Sequence, residues 1–124
     1  AAAAALGALA GLVAPLWEEL FFRGFLLAAL PRGRAANRPR ALLLSSLVFG
    51  AFHCRPGSTE GLRPLLPTAA LGATFGVLAL RSRNLLPVVL VHQLWNGVHL
   101  ALAAGLAGRG ASAEAIAAAV QWYV

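Results

Sequence analysis

The sequence predicts an all-α fold, a polytopic bundle of membrane-spanning helices, and three observations carry that prediction. The 124 residues are 60% hydrophobic, with a mean hydropathy of +0.76. Charged residues make up only 11%, against about a quarter in an ordinary soluble domain, and a chain this small cannot cover a water-facing surface with so few polar groups. The apolar residues also fall into long runs separated by short Arg-, Pro- and Gly-containing connections, the layout expected where a bilayer is the solvent.

The first apolar stretch runs from Ala1 to Leu30, interrupted only by Glu18, Glu19 and Arg23. Pro15 inside it predicts a kink or a helix start. The loop Pro31 to Arg40 carries Arg32, Arg34, Arg38 and Arg40. The second stretch, Ala41 to Cys54, is short for a span, so its helix is expected to absorb part of that loop. Arg55-Pro56-Gly57-Ser58 is a turn signal. A third stretch, Leu65 to Leu80, leads through Arg81-Ser82-Arg83-Asn84 into a fourth, Leu85 to Ala107, long enough to cross with some tilt. After Gly108-Arg109-Gly110, Ala111 to Val124 predicts a partial fifth helix ending in an interfacial Trp122-Tyr123 pair. Four to five helices are therefore expected.

Residue 1 is not Met, and the chain is expected to be a core excised from a larger bundle. The Ala-rich opening lacks the basic region of a signal peptide.

The net charge of +6 comes from ten Arg and no Lys against four Glu and no Asp. These Arg residues lie between apolar runs, with no basic face interleaved with aromatics, which excludes nucleic acid as a partner. If all four long stretches cross, the loops after the first and third share six Arg, and the other side has Arg55, Arg63 and Arg109. The positive-inside rule then puts the Arg-rich loops in the cytosol or its organellar equivalent. The single Cys54 excludes an internal disulfide and a zinc-finger spacing.

Two of the four acids sit side by side inside the first stretch, in Trp17-Glu18-Glu19-Leu20-Phe21-Phe22-Arg23. An ionisable group at mid-bilayer costs on the order of 2.5–3.5 kcal/mol on insertion scales, so it usually has both a function and a partner. Neighbouring helical residues point about 100° apart, so the two carboxylates take different directions. Glu19 and Arg23 have the four-residue spacing and acid-first order of a favourable pair. Glu18 is left without a built-in partner, and a partly desolvated free carboxylate can take a proton from water. Glu18 is thus the candidate base, with Glu19 and Arg23 as support. A structural charge cluster is the plainer alternative.

Phe49-Gly50-Ala51-Phe52-His53 closes the second stretch, and His92-Gln93-Leu94-Trp95-Asn96 lies in the fourth, with His92 and Asn96 on one face and His99 continuing the stripe. Either could be interhelical hydrogen-bond glue. Depth argues otherwise. Counting helical rise from the Arg-rich side puts Glu18 about 18 Å deep, His53 about 20 Å, and His92 and Asn96 about 12 and 18 Å. Three separate stretches deliver polar groups to comparable depth, as one water-accessible cavity would require. Ser45 and Ser46 read as packing hydroxyls, and Gly72-x-x-x-Gly76 as a site of close packing within the chain.

These residues resemble the three ordered motifs of the type II CAAX prenyl protease family, whose wider group includes bacteriocin-processing, abortive-infection-like and immunity-associated membrane proteins and is described as metalloprotease-like. The motifs are Glu-Glu-x-x-x-Arg, Phe-x-x-x-His and His-x-x-x-Asn or Asp. They stand here as Glu18-Glu19-x-x-x-Arg23, Phe49-x-x-x-His53 and His92-x-x-x-Asn96. Ala14-Pro15, Phe22-Arg23-Gly24, Ser45-Ser46 and Asn84-Leu85-Leu86-Pro87 match the flanks, so the resemblance covers about Ala10 to Leu100, and the wording is also similar to plastid or cyanobacterial-type homologues.

The resemblance implies residues 1–124 as the catalytic core, with its motifs between 18 and 96 and its upstream spans missing. It implies a glutamate-dependent intramembrane endopeptidase in which Glu18 and His53 activate water and His92 and Asn96 form the oxyanion hole, without a cofactor. The implied partners are a peptide or protein substrate, lipidated in the family's type enzymes, and membrane lipids. The implied setting is a bacterial plasma membrane or a chloroplast membrane. Two alternatives stay open. One is a zinc-dependent variant with Glu18, His53 and His92 as ligands, although no His-Glu-x-x-His is present. The other is a non-proteolytic scaffold, immunity or assembly factor.

Overall fold

A computed structural model of the chain describes residues 2–30 and 37–120. Arg32, Arg34 and the Trp122-Tyr123 pair lie outside the described residues. Among those described there are five helices and no strand. Helix α1 covers residues 2–29, α2 is Arg38–Phe52, α3 is Leu65–Ser82, α4 is Leu85–Gly108 and α5 is Ala113–Val120. A single helical turn, Thr59–Leu62, leads into α3. As expected, α2 takes in the end of the Arg-rich loop.

Among the described residues, three helices are long and apolar enough to cross a membrane: Ala5–Ala29, Thr59–Ser82 and Leu85–Gly108. Helix α2, the second of the four apolar stretches, falls below that length. Helix α2 has 15 residues, about 22 Å at 1.5 Å per residue, short of a hydrocarbon core of about 30 Å. It stops because the chain turns out at His53 toward Pro56 and Gly57, where Gly57 has φ 108°. The end of α1, the start of α2, the end of α3 and the start of α4 meet around one groove. The two Arg-rich connections therefore share one end of the bundle, as the sequence predicts.

The expected disturbance at Pro15 takes the form of a widened helix rather than a break. Helix α1 is π-helical over Leu9–Val13 and again over Leu20–Leu26, with α-helical segments between and around them. Pro lacks an N–H and collides with the carbonyl four residues earlier, and the wider π turn relieves that collision. In the π register Pro15 would pair with the Ala10 carbonyl, which is instead satisfied by Asn96 Nδ2 of α4 at 3.0 Å. Gln93 Nε2 donates likewise to Leu12 O at 3.0 Å. Two polar side chains of α4 thus fix it against the irregular part of α1.

Helices α2 and α3 make the most intimate pair. A Cβ on Gly50 would lie 2.9 Å from the Ala69 Cβ, so only glycine lets the two backbones approach. A Cβ on Gly72 would sit 2.9 Å from the Phe49 ring. The Gly72-x-x-x-Gly76 pair therefore serves packing within the chain. Ser45 Oγ donates to Phe22 O at 3.1 Å and Ser46 Oγ to Leu42 O at 2.7 Å, both as packing hydroxyls.

The distribution of side chains is inverted relative to a soluble protein. Glu19, Arg23, Ser45, Thr68 and His92 are buried, whereas Phe25, Leu66, Leu86 and Leu94 are exposed. Lipid-facing apolar residues around polar interior groups are what a hydrocarbon solvent selects.

Candidate active site

The site begins at the two adjacent carboxylates of α1, which the helix turns into different surroundings. Glu19 is fully buried. Its Oε1 accepts from Arg23 Nη1 at 2.8 Å and from His92 Nδ1 at 2.8 Å. Arg23 also donates from Nη2 to the Gly72 carbonyl at 2.9 Å, and its guanidinium lies 4.4 Å from the centre of the Phe49 ring. A desolvated cation against an aromatic face gains about 2 kcal/mol or more. The Glu19–Arg23 pairing expected from spacing is present. The contact from Glu19 to His92 is not foreseeable from spacing, because 73 residues separate the two.

Glu18 faces a cleft of about 90 Å³ lined by Glu18, Phe49, His53, Thr68, His92 and Asn96 among others. Its Oε2 stands 4.0 Å from His53 Nε2 and 3.9 Å from His92 Nε2. Both separations are too long for a direct hydrogen bond and suit a bridging water. The cleft has room for a few water molecules.

The ring orientations are fixed from behind. His53 Nδ1 donates to Phe49 O at 2.8 Å, one helical turn earlier. A carbonyl only accepts, so Nδ1 carries the proton and the Nε2 of a neutral ring presents its lone pair to the cleft. The Phe-x-x-x-His spacing therefore selects a tautomer. His92 is 3% exposed and its Nδ1 is given to Glu19, so its Nε2 also points at Glu18. Asn96 uses one N–H for the Ala10 carbonyl, which leaves the second N–H and the carbonyl oxygen for the cleft.

The structure thus brings Glu18, His53, His92 and Asn96 to one cavity, with Glu19 and Arg23 behind them. His99 does not line that cavity; its Nδ1 donates to Trp95 O at 2.7 Å. Thr68, buried with its hydroxyl directed to Pro64 O, forms a wall of the cleft that carries no sequence signal. Among the described residues no group of three or more His, Cys, Asp and Glu is placed to hold a metal ion. A metallopeptidase assignment gains no support from this geometry.

A sequence model of the type II CAAX prenyl endopeptidase Rce1-like family matches residues 1–98. The chain belongs to this Rce1-like family. Neither the curated proteins nor the solved structures give a match. The Rce1-like match spans all three motifs and both walls of the cleft. Membership of this protease family and three apolar helices make the chain part of an integral membrane protein.

Proposed function

We propose that the cleft hydrolyses a peptide bond at membrane depth, with water activated jointly by Glu18 and His53. The observation that carries this reading is the placement of Glu18 Oε2 at water-bridging distance from two ring nitrogens whose opposite nitrogens are already committed.

A water held there gives one proton to Glu18 Oε2 and directs the other to His53 Nε2. Its remaining lone pair attacks the scissile carbonyl carbon as the carbonyl π bond opens. The resulting oxyanion takes hydrogen bonds from His92 Nε2–H and the second Asn96 N–H. Collapse re-forms the carbonyl, breaks the C–N bond, and returns the Glu18 proton to the leaving amine. For His92 to donate from Nε2 its ring must hold both protons, since Nδ1–H belongs to Glu19. Glu18 and Glu19 against Arg23 and a protonated His92 then make two anions and two cations. Such a neutral cluster is the one a low-dielectric interior tolerates.

The family relation extends the substrate to a lipid-linked peptide or protein of the CAAX kind. The plastid-like motif wording supports a chloroplast membrane, or a bacterial plasma membrane, as the setting.

The test uses the full-length protein in membranes with an internally quenched lipidated peptide. Glu18→Gln and His53→Ala are each expected to cut turnover by at least about a hundredfold with the fold intact. Wild-type turnover in Glu18→Gln would end the proposal. Stoichiometric zinc whose removal abolishes activity would replace the mechanism with a metal-dependent one. Full biological complementation by Glu18→Gln would favour the non-proteolytic scaffold.

A further inference from the structure

A second cavity, of about 500 Å³, opens at the Arg-rich end of the bundle. Arg38 at the start of α2 and Arg83 between α3 and α4 flank it, and Arg23 contributes to its inner wall. Leu27, Leu80 and Leu85 supply an apolar lining beside these cations.

Neither the Arg38 nor the Arg83 side chain has an ion pair or hydrogen bond among the described residues. The acids cannot reach them. Glu18 faces the cleft, Glu19 is buried behind it against Arg23 and His92, Glu60 pairs with Arg63 at 2.7 Å, and Glu114 is on α5. Helix α2 begins here without a side-chain cap, adding the positive end of its dipole.

Arg83 is also the one non-glycine residue with positive φ among those described, at φ 52° and ψ 28°. The turn around it is pinned. Ser82 Oγ lies 2.8 Å from the Asn84 carbonyl, and Asn84 Oδ1 accepts from the Leu86 N–H at 2.9 Å. A left-handed residue that closes a helix is ordinarily Gly or Asn. A guanidinium held there at a cavity mouth points to selection for the side chain rather than for the backbone.

We infer that this groove binds one anionic phospholipid, with its phosphate between Arg38 and Arg83 and an acyl chain along Leu27, Leu80 and Leu85. Guanidinium forks match phosphate oxygens, and basic pockets between membrane helices hold such headgroups. A soluble phosphate would use the cations and leave the apolar wall empty. The inference does not depend on the proteolytic reading.

Native mass spectrometry of the full-length protein, released from detergent with defined lipids, tests it. Phosphatidylglycerol is expected to be retained and phosphatidylcholine lost. The double variant Arg38→Gln/Arg83→Asn should weaken phosphatidylglycerol retention by about tenfold or more, since each contact is charge-assisted. Asn suits the left-handed position, so the turn survives. Arg40→Gln/Arg81→Gln, with the same charge change at the same end of the bundle but outside the groove, should retain the lipid. Equal loss in both double variants, equal retention of the two lipids, or displacement by glycerol phosphate at comparable concentration would each overturn the inference. A raised KM for peptide with lipid retention unchanged would make the groove a substrate anchor instead.

Discussion

Glu18 and Glu19 are chemically identical neighbours on one helix, yet they sit in opposite kinds of surroundings. Glu19 is sealed against Arg23 and His92, with the Arg23 guanidinium itself set among three phenylalanine rings. Glu18 looks into a cleft across about 4 Å toward two imidazoles. The difference arises from the 100° step of the helix, which lets one turn of α1 build a neutralised frame and a reactive face together. A carboxylate locked into short hydrogen bonds orients its neighbours; one kept at water distance can exchange a proton.

The largest expected effect separates the two acids by readout. Glu18→Gln should lower kcat by about 10²–10⁴-fold, the usual worth of a positioned general base, and leave thermal unfolding almost unchanged. Glu19→Gln keeps an oxygen for Arg23 and His92 but removes the counter-charge of a protonated His92. It should therefore act through the oxyanion side and cost less in rate, on the order of 10–10²-fold. Equal losses in the two variants, measured with the same peptide, would erase the distinction drawn here.

Arg23→Ala attacks the frame alone. It leaves Glu19 buried beside His92 without its cation, and breaking a buried pair costs about 3–5 kcal/mol. Denaturation in detergent should show that loss. Arg23→Lys should recover little, because a single ammonium cannot serve both Glu19 and the Gly72 carbonyl while lying flat on Phe49.

Gly50→Ala strains the frame from the opposite side. Its new Cβ would press on Ala69 and the α3 backbone, and overpacking of this kind costs about 1–3 kcal/mol. Because Gly50 lies three residues before His53, a shift of α2 would also change the Glu18–His53 separation. Turnover should fall with stability, in contrast to Glu18→Gln.

Much of this arrangement is legible in the sequence, and the reasons are physical. Charged residues inside apolar runs are expensive, so Glu18, Glu19, Arg23, His53, His92 and Asn96 stand out, and counting helical rise brings four of them to one depth. Their meeting in a single cleft agrees with that count. Other features depend on long-range placement that no local period encodes. The bond from His92 to Glu19 needs α4 to pack on α1, and the Ala10 carbonyl receives Asn96 only because α1 widens ahead of Pro15. The short length of helix α2 is already visible in its apolar stretch, but the turn that ends it at His53 is what places the imidazole at the cleft. Arg38 and Arg83 look like ordinary loop charges until four helix ends gather them around one groove.

Arg83 offers the smallest effect and the sharpest contrast with the buried frame. Arg23 is held by every group around it, so its loss should destabilise. Arg83 sits at φ 52°, a conformation that costs an L-residue about 1–2 kcal/mol. Arg83→Gly removes that strain while making the unfolded chain more flexible, two terms of opposite sign and similar size. The net change in unfolding free energy should therefore stay within about 1 kcal/mol, and on the stabilising side if the left-handed cost dominates. Chemical denaturation in lipid-free detergent measures this directly. A loss of several kcal/mol there would mean that the Arg83 side chain braces the fold itself, and the division between a buried cation that holds the bundle together and a peripheral one free to meet a ligand would fail.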